Sequence, residues 1–407
     1  MISNYDIGIL EEKALFSVKK FAIAKKKSMD EWGSRMLTLK GRYAEAKVFT
    51  DTVDELTLQQ IQSMIDHDIT ENTQVRIMPD CHLGKGSTVG TTIKFDGEID
   101  KVVPNIVGVD IGCGILMHKL DYGTEIDFKL LDRKINKLIP SGFEKHDFTS
   151  NSFDDELGKL LLPLSKDTIR MARQSIGTLG GGNHYIEVAE DEQGSRWLSV
   201  HSGSRNLGHQ IATYYQKLAV EEMSQKLGAT HQRELVPLKG KNLTDYLNDM
   251  QIAQKFAALN RKTMLERITR EMNWKIVDCF DSIHNFIDLE HKIIRKGATS
   301  AQKAERLVIP LNMRDGSLIC EGLGNEDWNY SAPHGAGREL SRSQAKKRLD
   351  FKLYQEQMKN VYTSSVVRGT LDEAPDAYKP VEQIIGNISD TVVITHRLKP
   401  LYNFKAH

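Results

Sequence analysis

The sequence predicts a single α+β domain spanning residues 1–407. Three observations predict it. Short β-branched runs bounded by glycine coexist with long amphipathic stretches at helical spacing, so both element types are present. Hydrophobic residues make up 40% and charged residues 27%, an ordinary globular balance rather than a disordered one. Polar motifs recur along most of the chain, with no internal repeat, low-complexity tract or obvious linker, which argues against separable modules.

The elements follow in order. Residues 1 to about 75 alternate short apolar runs with helix-like segments, and TLQQIQSMIDHDI is amphipathic at helical spacing. From Val75 to Met117 the chain is rich in Gly, Val and Ile. It holds two glycine-punctuated turns, MPDCHLGKGSTVG and VGVDIGCGILM, which read as strands meeting at tight turns. Asp155 to Arg173 has a helical pattern. GTLGGGNHYIEV reads as a glycine-rich turn entering a strand, and RWLSVHSGSRNLG as a strand followed by a loop. Gln210 to Leu227 is helical, and LTDYLNDMQIAQKFAALNRKTMLERITREM is a long, capped, amphipathic helix. Beyond it SIHNFIDLEH, IIRKGATSA, LVIPLNMRDGSLIC and YSAPHGAGREL sit on short strands and turns.

The formal net charge is zero, so binding to nucleic acid has to use local basic patches rather than a global field. Four cysteines (Cys81, Cys113, Cys279 and Cys320) stand far apart with no CxxC pair, which excludes a disulfide framework for so large a chain. Cys279 and Cys320 lie among apolar residues and read as small buried hydrophobes. MISNYDIGILEEK is not a signal peptide, and no stretch reaches the length of a membrane span. The expected location is the cytoplasm, without a membrane partner.

Asp110 and Cys113 stand together in GVDIGCG, where glycines on both sides let the two side chains converge on a small ligand. A carboxylate and a thiolate suit a borderline-soft divalent metal; the alternative is a buried cysteine beside a turn aspartate. His184 follows three glycines, His201 opens HSGSR and His284 precedes Asn285. Each alone reads as a core or turn histidine. Together they share a setting beside a polar or glycine-rich turn next to an apolar run, where functional groups concentrate. One thiolate, one carboxylate and three imidazoles could hold two metals, bridged by Cys113. His334, in PHGAGR, stands where small residues leave room for a bulky ligand, with Arg338 one helical turn on to neutralise phosphate. It reads either as a nucleophile or as a helix-entry histidine, with Arg338 a salt-bridging arginine. GKGST, Gly84 to Thr88, lacks the upstream glycine of a Walker A loop and reads as a turn. Basic clusters occur at Lys19, Lys20 and Lys25 to Lys27, and at Arg338, Arg342, Lys346, Lys347 and Arg348. The second adjoins His334 and could steer a phosphate backbone.

MPDCHLGKGSTVG, GVDIGCG, GTLGGGNHYIEV, HSGSRNLGHQ, HN, RKGATSA, HGAGR, PDAYK and a near-terminal Lys occur in this order. As a set they resemble the RtcB family of RNA-splicing ligases, from about Met78 to Lys405. The resemblance implies an α+β domain of the RtcB type with a central cleft around two Mn²⁺ ions. It implies Asp110, Cys113, His184, His201 and His284 as metal ligands, with Cys113 bridging. His334 would attack the α-phosphate of GTP to give a histidine–GMP phosphoramidate. Asn183 and Arg205 would contact phosphates. Glu187, Asn285, Asn312, Tyr378 and Lys405 would help hold the nucleotide, and Arg338, Arg342 and Lys346 would face phosphate or RNA. The implied substrates are RNA 2′,3′-cyclic phosphate or 3′-phosphate ends and 5′-hydroxyl ends, in tRNA splicing or RNA repair, with an accessory activator protein as a further partner.

The sequence departs from the family pattern in two places. IPLNMRDGS stands where many members carry a GSMG-type turn, and Asn312 or Arg314 could replace its serine contact. The tail reads Lys405-Ala406-His407 rather than Lys-Gly. Two competing readings are a dinuclear metal phosphoesterase acting on RNA ends, with His334 as acid or base, and a non-catalytic RNA-binding protein.

Overall fold

The structure, a computed structural model, describes residues 36–227 and 234–406. The basic cluster at Lys19 to Lys27 lies outside the described residues. Two sheets dominate. The first orders β1 (Leu37–Lys40), β2 (Glu45–Val48), β3 (Thr73–His82), β4 (Val89–Phe95), β12 (Ile293–Lys296) and β11 (Asn285–Asp288); β2 and β3 are parallel and the other pairs antiparallel. The second is antiparallel throughout and orders β10 (Ile276–Ile283), β6 (Gly114–Leu120), β8 (Arg196–Ser202), β7 (Tyr185–Glu190), β17 (Val392–Phe404), β15 (Gly316–Gly322) and β14 (Arg306–Asn312). Two small ribbons pair β5 (Lys101–Val102) with β9 (Leu238–Lys239) and β13 (Ala298–Ser300) with β16 (Ser331–Pro333). The expected α+β class is what the chain adopts.

Strand alternation gives the second sheet two different faces. Ile186, Val188, Leu198, Val200, Tyr402 and Phe404 form one face and pack on helices. Among the helices, α1 (Glu55–Ile65) serves the first sheet, while α2 (Phe128–Leu138), α3 (Arg205–Leu227) and α4 (Gly240–Glu271) lie beyond it. Leu131 and Ile135 of α2 and Met264, Leu265 and Ile268 of α4 cover that face. On the opposite face Ile115, Met117, Tyr185 and Trp197 meet Val308, Ile319 and Leu398, which come from the far end of the same sheet. The sheet therefore curls into a half barrel. Its edge strands are tied together by the Arg306–Asp278 ion pair and by Val308 N–H donating to Ser282 Oγ at 3.4 Å.

Three helical expectations shift. Helix α3 begins at Arg205, directly after β8, so the loop expected before Gln210 is only Gly203 and Ser204. Asp155 to Arg173 is broken into Asp154–Leu157 and Lys166–Ser175, because Pro163 cannot donate within a helix and Ser165 caps the second piece by accepting from Thr168 N–H at 3.1 Å. Helix α4 starts at Gly240, straight out of β9, and its Lys239 end has no side-chain cap. Cys320 is buried as expected, but Cys279 is exposed, because it falls on the outward side of edge strand β10.

The middle of α4 carries two fully buried polar residues, Asn260 and Arg261. Asn260 accepts from Gly177 and Thr178 N–H at 2.8 and 3.0 Å and donates to the carbonyls of Thr178 and Gly203 at 3.0 and 3.2 Å. Arg261 donates to the carbonyls of Gly112 and Ser202 at 2.8 and 2.9 Å and pairs with Asp281 at 2.6 Å. These bonds satisfy backbone groups at Gly112, at Gly177 and Thr178, and where β8 ends at Ser202 and Gly203. Arg261→Ala is expected to destabilise the fold by about 3–5 kcal/mol in denaturant unfolding, since Asp281 and two buried carbonyls lose their donor. Arg261→Lys should leave most of that loss, because an ammonium cannot span the three acceptors as a planar fork does.

Candidate metal centre and nucleotide cleft

The glycine-rich turns position the metal-ligating side chains. Asp110 and Cys113 lie on the turn entering β6, closed by Cys113 N–H donating to the Asp110 carbonyl at 3.2 Å. His184 leads into β7, His201 sits within β8 and His284 lies between β10 and β11. Gly203 is required by close approach: a Cβ there would stand 2.1 Å from Asp110 Oδ1. Gly297 has φ +60 and its Cβ would strike Val89 at 2.3 Å.

The side-chain atoms form a continuous series. Asp110 Oδ2 lies 3.0 Å from His184 Nε2, which is 3.4 Å from Cys113 Sγ. Cys113 Sγ lies 3.3 Å from His201 Nε2, which is 3.3 Å from His284 Nε2. Cys113 thus stands between a carboxylate–imidazole pair and an imidazole–imidazole pair. The ligand atoms of Cys113, His184 and His201 all lie within 4.8 Å of one another. Donors around one first-row ion, with bonds of about 2.0–2.3 Å, stand roughly 3–3.7 Å apart, so the set fits a transition metal. His184 Nδ1 is bonded to the Leu179 carbonyl at 2.9 Å, which turns Nε2 inward. Burial and then neighbouring positive groups, imidazoles first, hold His201 and His284 well below 6.5, so both rings are neutral and chemically able to ligate a metal. Burial, and after it the Asp110 carboxylate, push the Cys113 thiol well above 9.0, so a bound cation has to drive its deprotonation.

His334 follows β16 and its ring centroid lies 4.9 Å from that of His284. Its Nδ1 is 2.6 Å from Oδ2 of Asp80, a fully buried residue at the end of β3. The segment after His334 is not helical; the helix begins at Arg342. The helix-entry reading of His334 is therefore corrected, while Arg338 is salt-bridged, to Glu373 Oε1 at 3.3 Å, and also donates to the carbonyls of Leu340 and Asp372. Asp80 was not singled out from sequence; its signal was a polar Asp-Cys-His run closing a strand.

A cleft of about 400 Å³ opens from these groups. Asn183, Glu187, Asn285, Asn312, Tyr378, Lys405, Arg338 and Arg342 line it, as do Asp110, Cys113, His201, His284 and His334. Arg205 and Lys346 are not among the lining residues. Arg205 braces the glycine run, donating to Thr178 Oγ1 at 3.1 Å and to the Gly142 carbonyl at 2.8 Å. Lys346 lies 3.4 Å from Asp372. Asn285 bridges two backbones, donating to the Asp110 carbonyl at 3.3 Å and accepting from Gly297 N–H at 2.8 Å. Asn312 Oδ1 accepts from Arg314 and Asp315 N–H at 3.0 and 2.9 Å, while Arg314 itself pairs with Asp315 at 2.7 Å. The GKGST segment is a turn, with the Gly84 carbonyl accepting from Gln60 at 2.7 Å and Lys85 lining the cleft.

Sequence reading also missed Glu373, Lys296 and Asn403. Glu373 is ringed by Lys405 at 2.9 Å, Arg342 at 2.7 Å and the Tyr378 hydroxyl at 2.6 Å. Burial alone would raise its carboxyl, but Lys405, Arg342 and Arg338 outweigh burial and bring it to about 2. Lys296 is brought down to about 7 by burial and donates to the Lys85 and Asn105 carbonyls at 2.6 and 2.9 Å. Glu187 is pushed up to about 7 by burial, against the opposing pull of Asn403 and Lys405.

Among the described residues no helix is long and apolar enough to cross a membrane. The family described as tRNA-splicing ligase RtcB matches residues 60–162 and 162–406. The RNA-splicing ligase RtcB of Escherichia coli is 32% identical over 363 residues, covering 80% of this chain and 88% of that protein. The tRNA-splicing ligase RtcB of Aeropyrum pernix is 29% identical over 399 residues, covering 76% and 82%. The RNA-splicing ligase RtcB of Mycobacterium bovis is 27% identical over 395 residues, covering 76% and 90%.

Cys113→Ala should lower the affinity for a divalent transition metal by more than the roughly 10–100-fold typical of changes behind the ligands, with an unaltered circular dichroism spectrum; calorimetric titration reads it. Glu187 predicts a pH effect. Its folded carboxyl near 7 holds a proton that the unfolded one, at 4.5, has lost, so metal-free stability falls as pH rises from about 4.5 through 7. Glu187→Gln should therefore raise stability by about 3 kcal/mol at pH 8 and leave it unchanged near pH 4, in urea unfolding at both values.

Proposed function

The chain belongs to the RtcB family of RNA-splicing ligases and is an RNA-end-joining ligase with a metal site; we propose that it seals RNA through a histidine–GMP intermediate carried on His334. The observation that supports this most directly is the Asp80–His334 pair. A buried carboxylate on Nδ1 fixes the tautomer and leaves Nε2 as the ring's nucleophilic nitrogen.

In this reading the cofactors are GTP and two Mn²⁺ ions, which Asp110, Cys113, His184, His201 and His284 would hold. When bound, they would supply positive charge against the triphosphate, whose α-phosphorus is the electrophile. His334 Nε2 bonds to that phosphorus as the bond to pyrophosphate breaks. The RNA 3′-phosphate oxygen then takes the GMP from His334, restoring the imidazole. A 5′-hydroxyl attacks the 3′-phosphorus next, loses its proton and releases GMP. An RNA 2′,3′-cyclic phosphate enters after water opens it to the 3′-phosphate. Asn183, Arg338 and Arg342 line the phosphate path, and Glu187, Tyr378 and Lys405 hold the guanosine. Residues 1–407 act as one ligase unit in the cytoplasm, and an accessory activator would show itself as a stimulated second turnover.

Incubation with Mn²⁺ and α-labelled GTP should give an acid-labile covalent label that His334→Ala abolishes. A label that survives that change, or none in the unaltered protein, would sink the ligase chemistry. Hydrolysis of a cyclic phosphate end without any label would instead favour a phosphoesterase. Asp80→Asn should slow label formation by about 10²- to 10⁴-fold while GTP binding persists, as single-turnover kinetics would show.

A further inference from the structure

Strand β17 presents Tyr402 and Phe404 to the core and Asn403 to the cleft, and Lys405, directly after the strand, lines the cleft too. Asn403 stands directly opposite Glu187 in the β7–β17 register. Its Nδ2 donates to Glu187 Oε2 at 2.8 Å, which fixes the plane of the amide. Its Oδ1 is buried, in a residue only 1% exposed, and has no hydrogen-bond partner. A buried acceptor without a partner is uncommon in a native interior and marks a place for a missing donor. Glu187 beside it is also an acceptor when ionised, and its carboxyl, raised to about 7, gains most from a ligand that brings N–H groups. Lys405, the neighbouring cation, is committed to Glu373 at 2.9 Å and to the Asn183 carbonyl at 3.2 Å.

The cleft therefore offers two side-by-side acceptors held by one cross-strand bond. Their complement is a flat edge bearing a ring N–H next to an exocyclic amine. Guanine has that edge, hypoxanthine lacks the amine, and adenine offers an acceptor where the ring N–H is needed. Resting on the GTP-dependent function above, we infer that Asn403 is a specificity-determining residue whose Oδ1 accepts the 2-amino group of guanine while Glu187 accepts N1–H. A site built to bond a polar group rejects the analogue that lacks it, because its own acceptor is then left buried and unpaired.

Equilibrium binding of GTP and ITP to the full chain carrying His334→Ala, with Mn²⁺ present, separates base recognition from chemistry. GTP should bind about tenfold or more tighter than ITP. Adding Asn403→Leu should weaken GTP by about that factor and bring the two nucleotides close to parity. Adding Asn403→Asp, which keeps an acceptor, should retain a preference for GTP. Equal binding of GTP and ITP with Asn403 in place overturns the inference, even if the leucine variant fails to fold. So does a preference that Asn403→Leu leaves intact. Selective GTP binding without a covalent label on the unaltered protein would remove the ligase chemistry and leave Asn403's role standing. A label formed equally from GTP and ITP would do the reverse, and binding of neither nucleotide removes both.

Discussion

The metal centre depends on a clamp that contains no metal ligand. Asn260 and Arg261, on consecutive positions of α4, bond the backbone at Gly112, at Gly177 and Thr178, and at Ser202 and Gly203. Those backbone segments adjoin Cys113, His184 and His201, the last of them at the end of β8. Glycine-rich turns let side chains and backbone approach closely, but they lose more conformational entropy than any other segment when ordered. Tying three of them to one rigid helix fixes their mutual positions in a single step. Preorganisation of the ligands is therefore a property of α4 as much as of the turns.

Charge within the cleft is arranged by compensation rather than by excess. The basic residues after His334 looked from sequence like a free phosphate-binding patch. Asp372 and Glu373, some thirty residues on, meet Arg342 and Lys346 and draw Arg338 away from His334. Glu373 is so surrounded by cations that it stays ionised down to about pH 2. An incoming phosphate would compete with an internal carboxylate for these arginines, which favours a multiply charged ligand over a single anion.

How legible the site was from sequence tracks the distance over which its residues cooperate. The α+β class and most elements follow from local periodicity. His184 and His201 could be singled out because each stands two residues from a glycine, and Cys113 because an aspartate stands three residues away. Asp80 could not be paired with His334 across 254 positions, since nothing local in either segment names the other. Arg205, which its motif marked for phosphate, also braces Thr178 and Gly142 through Nε and Nη2, a structural duty that no local pattern announced. Asn403 was recoverable in principle, because alternation through LYNFK puts it on the same face as Lys405. Cys279 was misplaced because an apolar neighbourhood in an edge strand does not say which side faces water.

Strand β17 has a consequence for assembly order. It lies between β7 and β15, so without it the sheet ladder falls into two pieces, β10-β6-β8-β7 and β15-β14, that meet through the β10–β14 edge contacts. Its pairing of Phe404 with Ile186 closes a loop of over two hundred residues, a contact whose entropic cost falls late in folding. The ligand-bearing half of the sheet can form first, but the strand that supplies Asn403 and Lys405 joins it only when the halves dock. Nascent or partly folded chains would then bring the candidate metal-binding groups together before the cleft wall that Asn403 and Lys405 provide is in place.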